Sequence, residues 1–163
     1  MAELKGRPMI NSIPLLLHVS FGVVGILIAL VVFAESWFSP TPSRRKVLLS
    51  SGVCVCMAGA LILGGWWYIV HYPEGKALIL SSENAWVHQI VMESKEHIMF
   101  LIVMLSLLLP LACRDEFRRF GTSRDSGRGI TMAISGAIVL LGMMMEGMGG
   151  LISLAVRLAL QEG

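Results

Sequence analysis

The stretch INSIPLLLHVSFGVVGILIALVVFA, residues 10–34, contains no Asp, Glu, Lys or Arg, and His18 is its one ionisable side chain. A helix needs about 20 apolar residues to cross a hydrocarbon core of roughly 30 Å, and this stretch exceeds that length. The apolar core of a secretory signal peptide is shorter, at about 7 to 15 residues. The stretch therefore predicts a membrane-spanning helix that stays in the protein, with a signal anchor as the alternative.

Three further apolar stretches of similar length follow at residues 47–70, 85–113 and 130–156. Of the 163 residues, 55% are hydrophobic and 15% are charged, whereas charged residues make up roughly 25% of a soluble domain. We therefore predict an all-α fold, an up-down four-helix bundle that forms one integral membrane domain over residues 1–163. The lipid bilayer is its first predicted partner.

The composition also excludes several classes of function. Four spans leave no room for a soluble catalytic domain, and the chain has no phosphate-binding loop and no dinucleotide-binding motif. A net charge of +2 is too small to indicate a nucleic-acid partner. The three cysteines are an odd number at spacings unlike a disulfide framework, so we expect no disulfide bonds.

Lysine and arginine are concentrated on one side of the predicted bundle. Eight of the 13 lie in the loops 35–46 and 114–129, and four lie on the opposite side. Because positively charged loops favour the cytoplasm, we expect these two loops to be cytoplasmic and both termini to be extracytoplasmic. The stretch 39–46 contains two prolines and is expected to be non-helical. The connector 74–84 is expected to lie on the membrane surface.

Four ionisable residues fall at one height when helical residues are counted from the basic end of each span. They are His18, Glu96, His97 and Glu146. Each lies 16 or 17 residues from the basic end of its own span. At about 1.5 Å per residue, this level is about 24 to 26 Å from the basic boundary. The four side chains are therefore expected at the opposite rim of the hydrocarbon.

His71 and His88 form a second predicted layer, about 12 to 14 Å further from the basic end. Each lies 25 residues from the basic end of its span. His88 and His97 are nine residues apart, and nine steps of about 100° place them on opposite sides of one helix. Glu93 and His97 are four residues apart and share a face. His97 is therefore grouped with Glu93, and His88 is not.

The four histidines predict a protein that binds b-type haem. Charged groups inside a span cost roughly 2.5 to 3.5 kcal/mol each on insertion scales and are functional by default. Two imidazoles at one height on diagonal helices can ligate a haem from both sides. We therefore predict haem b between His18 and His97, and a second cofactor site between His71 and His88.

The predicted function is that of a small membrane-embedded redox subunit, which passes electrons between a quinol pool and an extracytoplasmic partner. Glu93, Lys95 and Glu96 are the predicted catalytic residues, because carboxylates and an amine can handle the protons that a quinol releases. A chain this small, without a soluble domain, is expected to work with other subunits of a membrane complex.

Two alternatives use the same residues. In the first, a metal ion is bound or transported by His18, Glu93, His97 and Glu146, a ligand set that suits iron, manganese or zinc, with copper as a variant through nearby methionines. In the second, the chain is a structural subunit whose polar residues make hydrogen bonds between helices. For any single histidine, a packing role is an equally good interpretation, and His71 and His88 alternatively form a water-exposed surface.

Overall fold

A computed structural model describes residues 13–39, 43–119 and 126–162. Its elements are α1 (Ile13–Phe38), α2 (Arg44–Val70), α3 (Tyr72–Ser81), a π-helical segment (Val87–Met92), α4 (Glu93–Arg119) and α5 (Ser126–Glu162). No strand occurs in these ranges. The predicted start of the first span, Ile10, lies outside the described residues.

Four helical stretches are long and apolar enough to cross a membrane. They are Ile13–Phe38, Arg44–Val70, Val87–Glu116 and Gly127–Gln161. Their outward surfaces carry many exposed leucine, isoleucine and valine side chains, which is typical of a protein surface covered by lipid. The predicted all-α integral membrane bundle of four helices is confirmed.

Consecutive spans are neighbours in the bundle. α1 packs against α2 and α5, and α4 packs against the same two helices. Within the described ranges, no Cα atom of α1 comes within 8 Å of α4, and the same is true of α2 and α5. The diagonals are therefore α1 with α4 and α2 with α5, as in an up-down bundle.

Each span buries a narrow stripe of residues spaced three and four apart. On α1 the stripe contains Gly25, Ala29 and Val32, and on α2 it contains Val53 and Met57. This spacing keeps the side chains on one helical face, turned towards the core. Gly25 allows a close approach, because a Cβ atom there would lie 2.8 Å from the methyl group of Met57.

The basic stretches are helical where loops were predicted. Arg44, Arg45 and Lys46 form the first turn of α2, so the non-helical prediction for 39–46 is wrong for these three residues. The reason is that Ser43 caps the helix and accepts a hydrogen bond from the Lys46 backbone N–H at 3.2 Å. At the other basic stretch, α4 continues to Arg119 instead of ending at residue 113.

The connector between the second and third spans also differs from the prediction. It forms α3, with Pro73 in the first turn, where the missing N–H of proline is tolerated. α3 packs on the bundle rather than only on the membrane surface, since Ile79 is fully buried in a cluster with Val87 and Ala155. The π-helical segment that follows contains His88.

A buried ion pair joins α2 and α4 at the basic end of the bundle. Lys46 Nζ lies 2.7 Å from Glu116 Oε1, and the two side chains are only 2% and 6% exposed. At the same end, Arg128 of α5 donates to the Ser36 and Trp37 carbonyl oxygens of α1, both at 2.6 Å. A cation is favoured at this C-terminal end of α1. The ion pair thus joins α2 to α4, and the Arg128 hydrogen bonds join α5 to α1.

Breaking the buried ion pair should destabilise the protein strongly. Removing one partner leaves a buried charge without compensation, which costs about 3 to 5 kcal/mol. We therefore expect Lys46→Met and Glu116→Gln each to lower the free energy of unfolding by that amount. Circular dichroism during unfolding in mixed detergent micelles measures the change.

The neighbouring residue supplies the control. Arg45 pairs with Glu35 at 3.1 Å but is 71% exposed, and exposed pairs contribute about 1 kcal/mol or less, so Arg45→Ala should have little effect. The double variant Lys46→Met/Glu116→Leu should regain most of the lost stability, because no buried charge remains. Equal losses in Lys46→Met and Arg45→Ala would contradict this account.

Candidate functional site

Polar side chains meet at the opposite end of the bundle, which we name the histidine end because it carries all four histidines. We define the polar ring as His18, Tyr68, Lys95, Glu96 and Glu146. The buried stripes of the spans lead into this ring. On α1, the stripe continues from Gly25 through Gly22 to His18, in steps of three and four residues. On α4 it continues from Met99 to Lys95.

His18 lies at the interface of α1 and α2. Its Nδ1 is 2.7 Å from the Ala60 carbonyl oxygen, and its ring fills the space beside Gly64, where a Cβ atom would be 2.5 Å from Nδ1. Since a carbonyl oxygen can only accept, Nδ1 donates, and Nε2 of the neutral imidazole keeps its lone pair. Histidines that ligate metals are commonly held in this way, through the nitrogen that does not bind.

Two more glycines receive a polar side chain from a neighbouring helix. At the interface of α5 and α1, Glu146 Oε1 lies 3.1 Å from the position that a Gly22 Cβ would take. At the interface of α4 and α5, Lys95 Nζ lies 3.1 Å from the position of a Gly149 Cβ. The Lys95 ammonium and the Glu146 carboxylate attract each other electrostatically, so the two interfaces share one charged region.

Tyr68 completes the ring at the interface of α2 and α4. Its hydroxyl interacts with the Glu96 carboxylate. Each of the four helix–helix interfaces therefore contains a polar side chain at this end. Gly22 is one turn from His18, so Glu146 and His18 lie within about one helical turn of each other in height.

A second set of contacts leads from the ring towards the end of the bundle. The Tyr72 ring stacks on Tyr68 with centroids 5.1 Å apart, and a hydrogen bond of 3.0 Å joins its hydroxyl to Nδ1 of His88, which is buried. Burial, and then the nearby Tyr68 and Glu96, raise the pKa of Tyr72 to about 12. At neutral pH the phenol therefore keeps its proton and can donate it in the hydrogen bond to His88.

His97 and Glu93 lie outside the ring. Both side chains are exposed on the outward surface of α4, and Nδ1 of His97 is 2.7 Å from the Glu93 carbonyl oxygen. The core stripe of α4 passes through Lys95, and His97 lies two residues, or about 200°, further round the helix. His97 therefore does not face His18 across the core of the bundle.

His71 and His88 are not brought together either. The His71 ring packs against Trp66 and Trp67, with ring centroids 5.5 and 4.3 Å away. α2 ends at this residue and the chain turns into α3. The prediction counted His71 as part of a continuous helix and for this reason placed it at the level of His88. Tyr72, the next residue, is the partner of His88.

The predicted metal ligands do not converge on one point. His18 and Glu146 belong to the polar ring, in which Glu146 is exposed, whereas Glu93 and His97 lie on the outward surface of α4. Among the described residues, no three side chains of His, Cys, Asp or Glu lie close enough together to hold a metal ion. The arrangement is better suited to hydrogen bonding and proton exchange than to coordination by these four ligands.

The predicted catalytic residues are divided in the same way. Lys95 and Glu96 are part of the ring, and Glu93 lies outside it but close enough to Tyr68 to act on it electrostatically. Tyr68 and Tyr72 were missed, because aromatic residues at the end of a span are typical of the membrane interface. Their spacing of four residues was the available signal, since it predicts a shared face.

Gly64→Ala and Gly65→Ala should have opposite effects on stability. Alanine normally stabilises a helix interior by about 1 kcal/mol relative to glycine, and nothing lies within 4 Å of a Cβ at Gly65. At Gly64 the same methyl group would displace His18 and break its hydrogen bond to Ala60. Thermal unfolding in detergent compares the two variants. A higher midpoint for both would show that His18 does not occupy this position.

Comparison with known proteins gives no match from which a function could be inferred. No protein-family model matches the chain, and neither a curated protein nor a solved structure matches it. The contacts of the polar ring therefore carry the functional argument.

Proposed function

We propose that the protein is a small membrane-embedded redox subunit that exchanges electrons and protons with a quinol, as one part of a membrane complex. The observation that carries the proposal is the polar ring, which brings acids, bases and a phenol to one end of the bundle, at all four interfaces. Oxidation of a quinol releases two electrons and two protons. A site for this reaction needs proton acceptors at the rim of the hydrocarbon, where the polar headgroup of a quinol lies.

The contacts beyond the ring add a further group that can exchange protons. Glu96 interacts with Tyr68, the Tyr68 ring stacks on Tyr72, and the Tyr72 hydroxyl is hydrogen-bonded to His88. The stacked rings transfer no proton, so these contacts do not form a continuous proton relay. They place an imidazole, which can bind a proton, beyond the ring at the end of the bundle.

The orientation of the bundle decides where protons and electrons go. The basic end, with Arg44 and Arg45 exposed at the start of α2, faces the cytoplasm under the positive-inside rule. The histidine end and both termini then face away from the cytoplasm. Protons are released on that side, and electrons pass to an extracytoplasmic partner.

Haem b is the proposed carrier of the electrons, and one observation favours it. His18 is held through Nδ1, so Nε2 is the nitrogen that can ligate iron. His97 is held in the same way by the Glu93 carbonyl oxygen, but it faces outward. If haem binds, His18 is the residue that would hold it, and a second histidine ligand would require His97 to turn inward or another residue to take its place.

A quinone should bind to the purified protein and stabilise it. We expect a quinone with a ten-carbon tail to raise the midpoint of thermal unfolding in detergent, because ligands that bind only the folded state stabilise it. Decylbenzene has the same tail without the quinone oxygens and is the control. An equal shift with both compounds, or no shift with either, would contradict a quinol-linked function.

Protein produced with ample haem should show a Soret band. His18→Ala should remove it, because Nε2 of His18 is the proposed ligand, whereas His71→Ala should leave it unchanged, because that ring packs against tryptophans. Absorption spectra, normalised to protein concentration, compare the three proteins. A wild-type protein without a Soret band, or a band that survives in His18→Ala, would rule out this ligand assignment.

A further inference from the structure

A groove on the outward surface between α1 and α5 ends at a carboxylate. It is lined by Val23, Ile26, Leu27, Met143 and Glu146 and has a volume of about 290 Å³. Four of these five side chains are aliphatic or thioether groups, and Glu146 is the one polar member. The volume is close to the lower end for small-molecule sites, roughly 300 Å³, so it suits a single-ring headgroup whose tail remains in the lipid.

The carboxylate lies at the depth of the hydrocarbon. Glu146 contacts Gly22, which is 15 residues from Trp37 at the basic end of α1, or about 22 Å along the helix axis. Tryptophan marks the membrane interface, and the hydrocarbon is about 30 Å thick. Glu146 is also exposed on the outward surface of the bundle. Its carboxylate therefore faces lipid, where no water is present to solvate it.

Lys95 does not satisfy this carboxylate by direct pairing. Within the part of the chain that the structure describes, no ion pair joins Lys95 to Glu146, so their charged atoms are more than 4.0 Å apart. Lys95 still attracts the negative charge from the bundle interior. Glu146 lines the groove and is exposed, so it is accessible to a hydrogen-bond donor that arrives from the lipid.

We infer that the groove binds the headgroup of a quinol and that Glu146 accepts the proton of one quinol hydroxyl. This inference rests on the proposed redox function and locates its substrate. In the step, the O–H bond of the quinol breaks, a new O–H bond forms on Glu146, and the quinol becomes a monoanion; no electron moves. Lys95 attracts negative charge at this site electrostatically. Glu146 acts as a base in this reaction. From its height along the span, it was predicted to be a metal ligand.

Equilibrium binding of a quinol with a ten-carbon tail to the full-length protein in detergent tests the site. We expect Glu146→Gln to weaken binding by about tenfold or more, because a hydrogen bond to a charged acceptor is lost. Leu27→Trp should weaken it to a similar degree by filling the groove. Leu30→Trp is the matched control, since Leu30 is a similarly exposed leucine on α1 that does not line the groove.

The outcomes separate the inference from the proposed function. If the wild-type protein binds no quinol, both are overturned. If it binds quinol and both Glu146→Gln and Leu27→Trp bind as tightly as Leu30→Trp, the redox function stands and the groove is not the site. Weaker binding in both groove variants, with Leu30→Trp within about twofold of the wild type, supports the assignment. Should Glu146→Gln fail to fold, Leu27→Trp and Leu30→Trp alone decide the result.

Discussion

The hydrocarbon of the bilayer offers no hydrogen bonds, and this constraint accounts for both ends of the bundle. At the basic end, Lys46 and one carboxylate oxygen of Glu116 meet it by a direct ion pair with almost no exposed surface, while the other oxygen, Oε2, is buried without a hydrogen-bond partner. At the histidine end, five polar side chains are distributed over four interfaces, and several of them occupy space that glycines leave open. Between the two ends the core is mostly apolar, and buried hydroxyls such as those of Ser106 and Ser135 donate to carbonyl oxygens of their own helices. The position of every polar group in the spans therefore requires an explanation, structural or functional.

The fold and the height of the candidate site follow from the sequence alone. Length and hydropathy are sufficient for the four spans because a lipid-covered helix must be apolar over about 20 residues. Helical rise is sufficient for the common level of His18 and Glu146 because it accumulates regularly along a span. Both quantities depend on counting residues, and neither depends on how the helices are rotated against each other.

Counting residues does not predict how each helix is rotated about its own axis or where the chain turns at a helix end. His97 shares its height with Lys95, yet about 200° of helical rotation separates them, and only the packing of α4 shows which of the two faces the core. His71 failed as the partner of His88 because α2 ends there, so that Tyr72 takes the position. Lys46 was assigned to a loop, because the prolines before it hid the capping role of Ser43. This cap starts α2 one turn earlier than predicted. In each case a local contact decides the outcome.

The unequal cross-linking of the two ends has a mechanical consequence. Arg128 fastens α5 to the end of α1 at the basic end, whereas the same two helices meet at Gly22 through a single carboxylate at the other end. Two helices that are joined at one end can separate at the other end without breaking the contacts that join them. An opening between α1 and α5 at the histidine end would face the lipid, so molecules would enter it from the bilayer rather than from the aqueous phase.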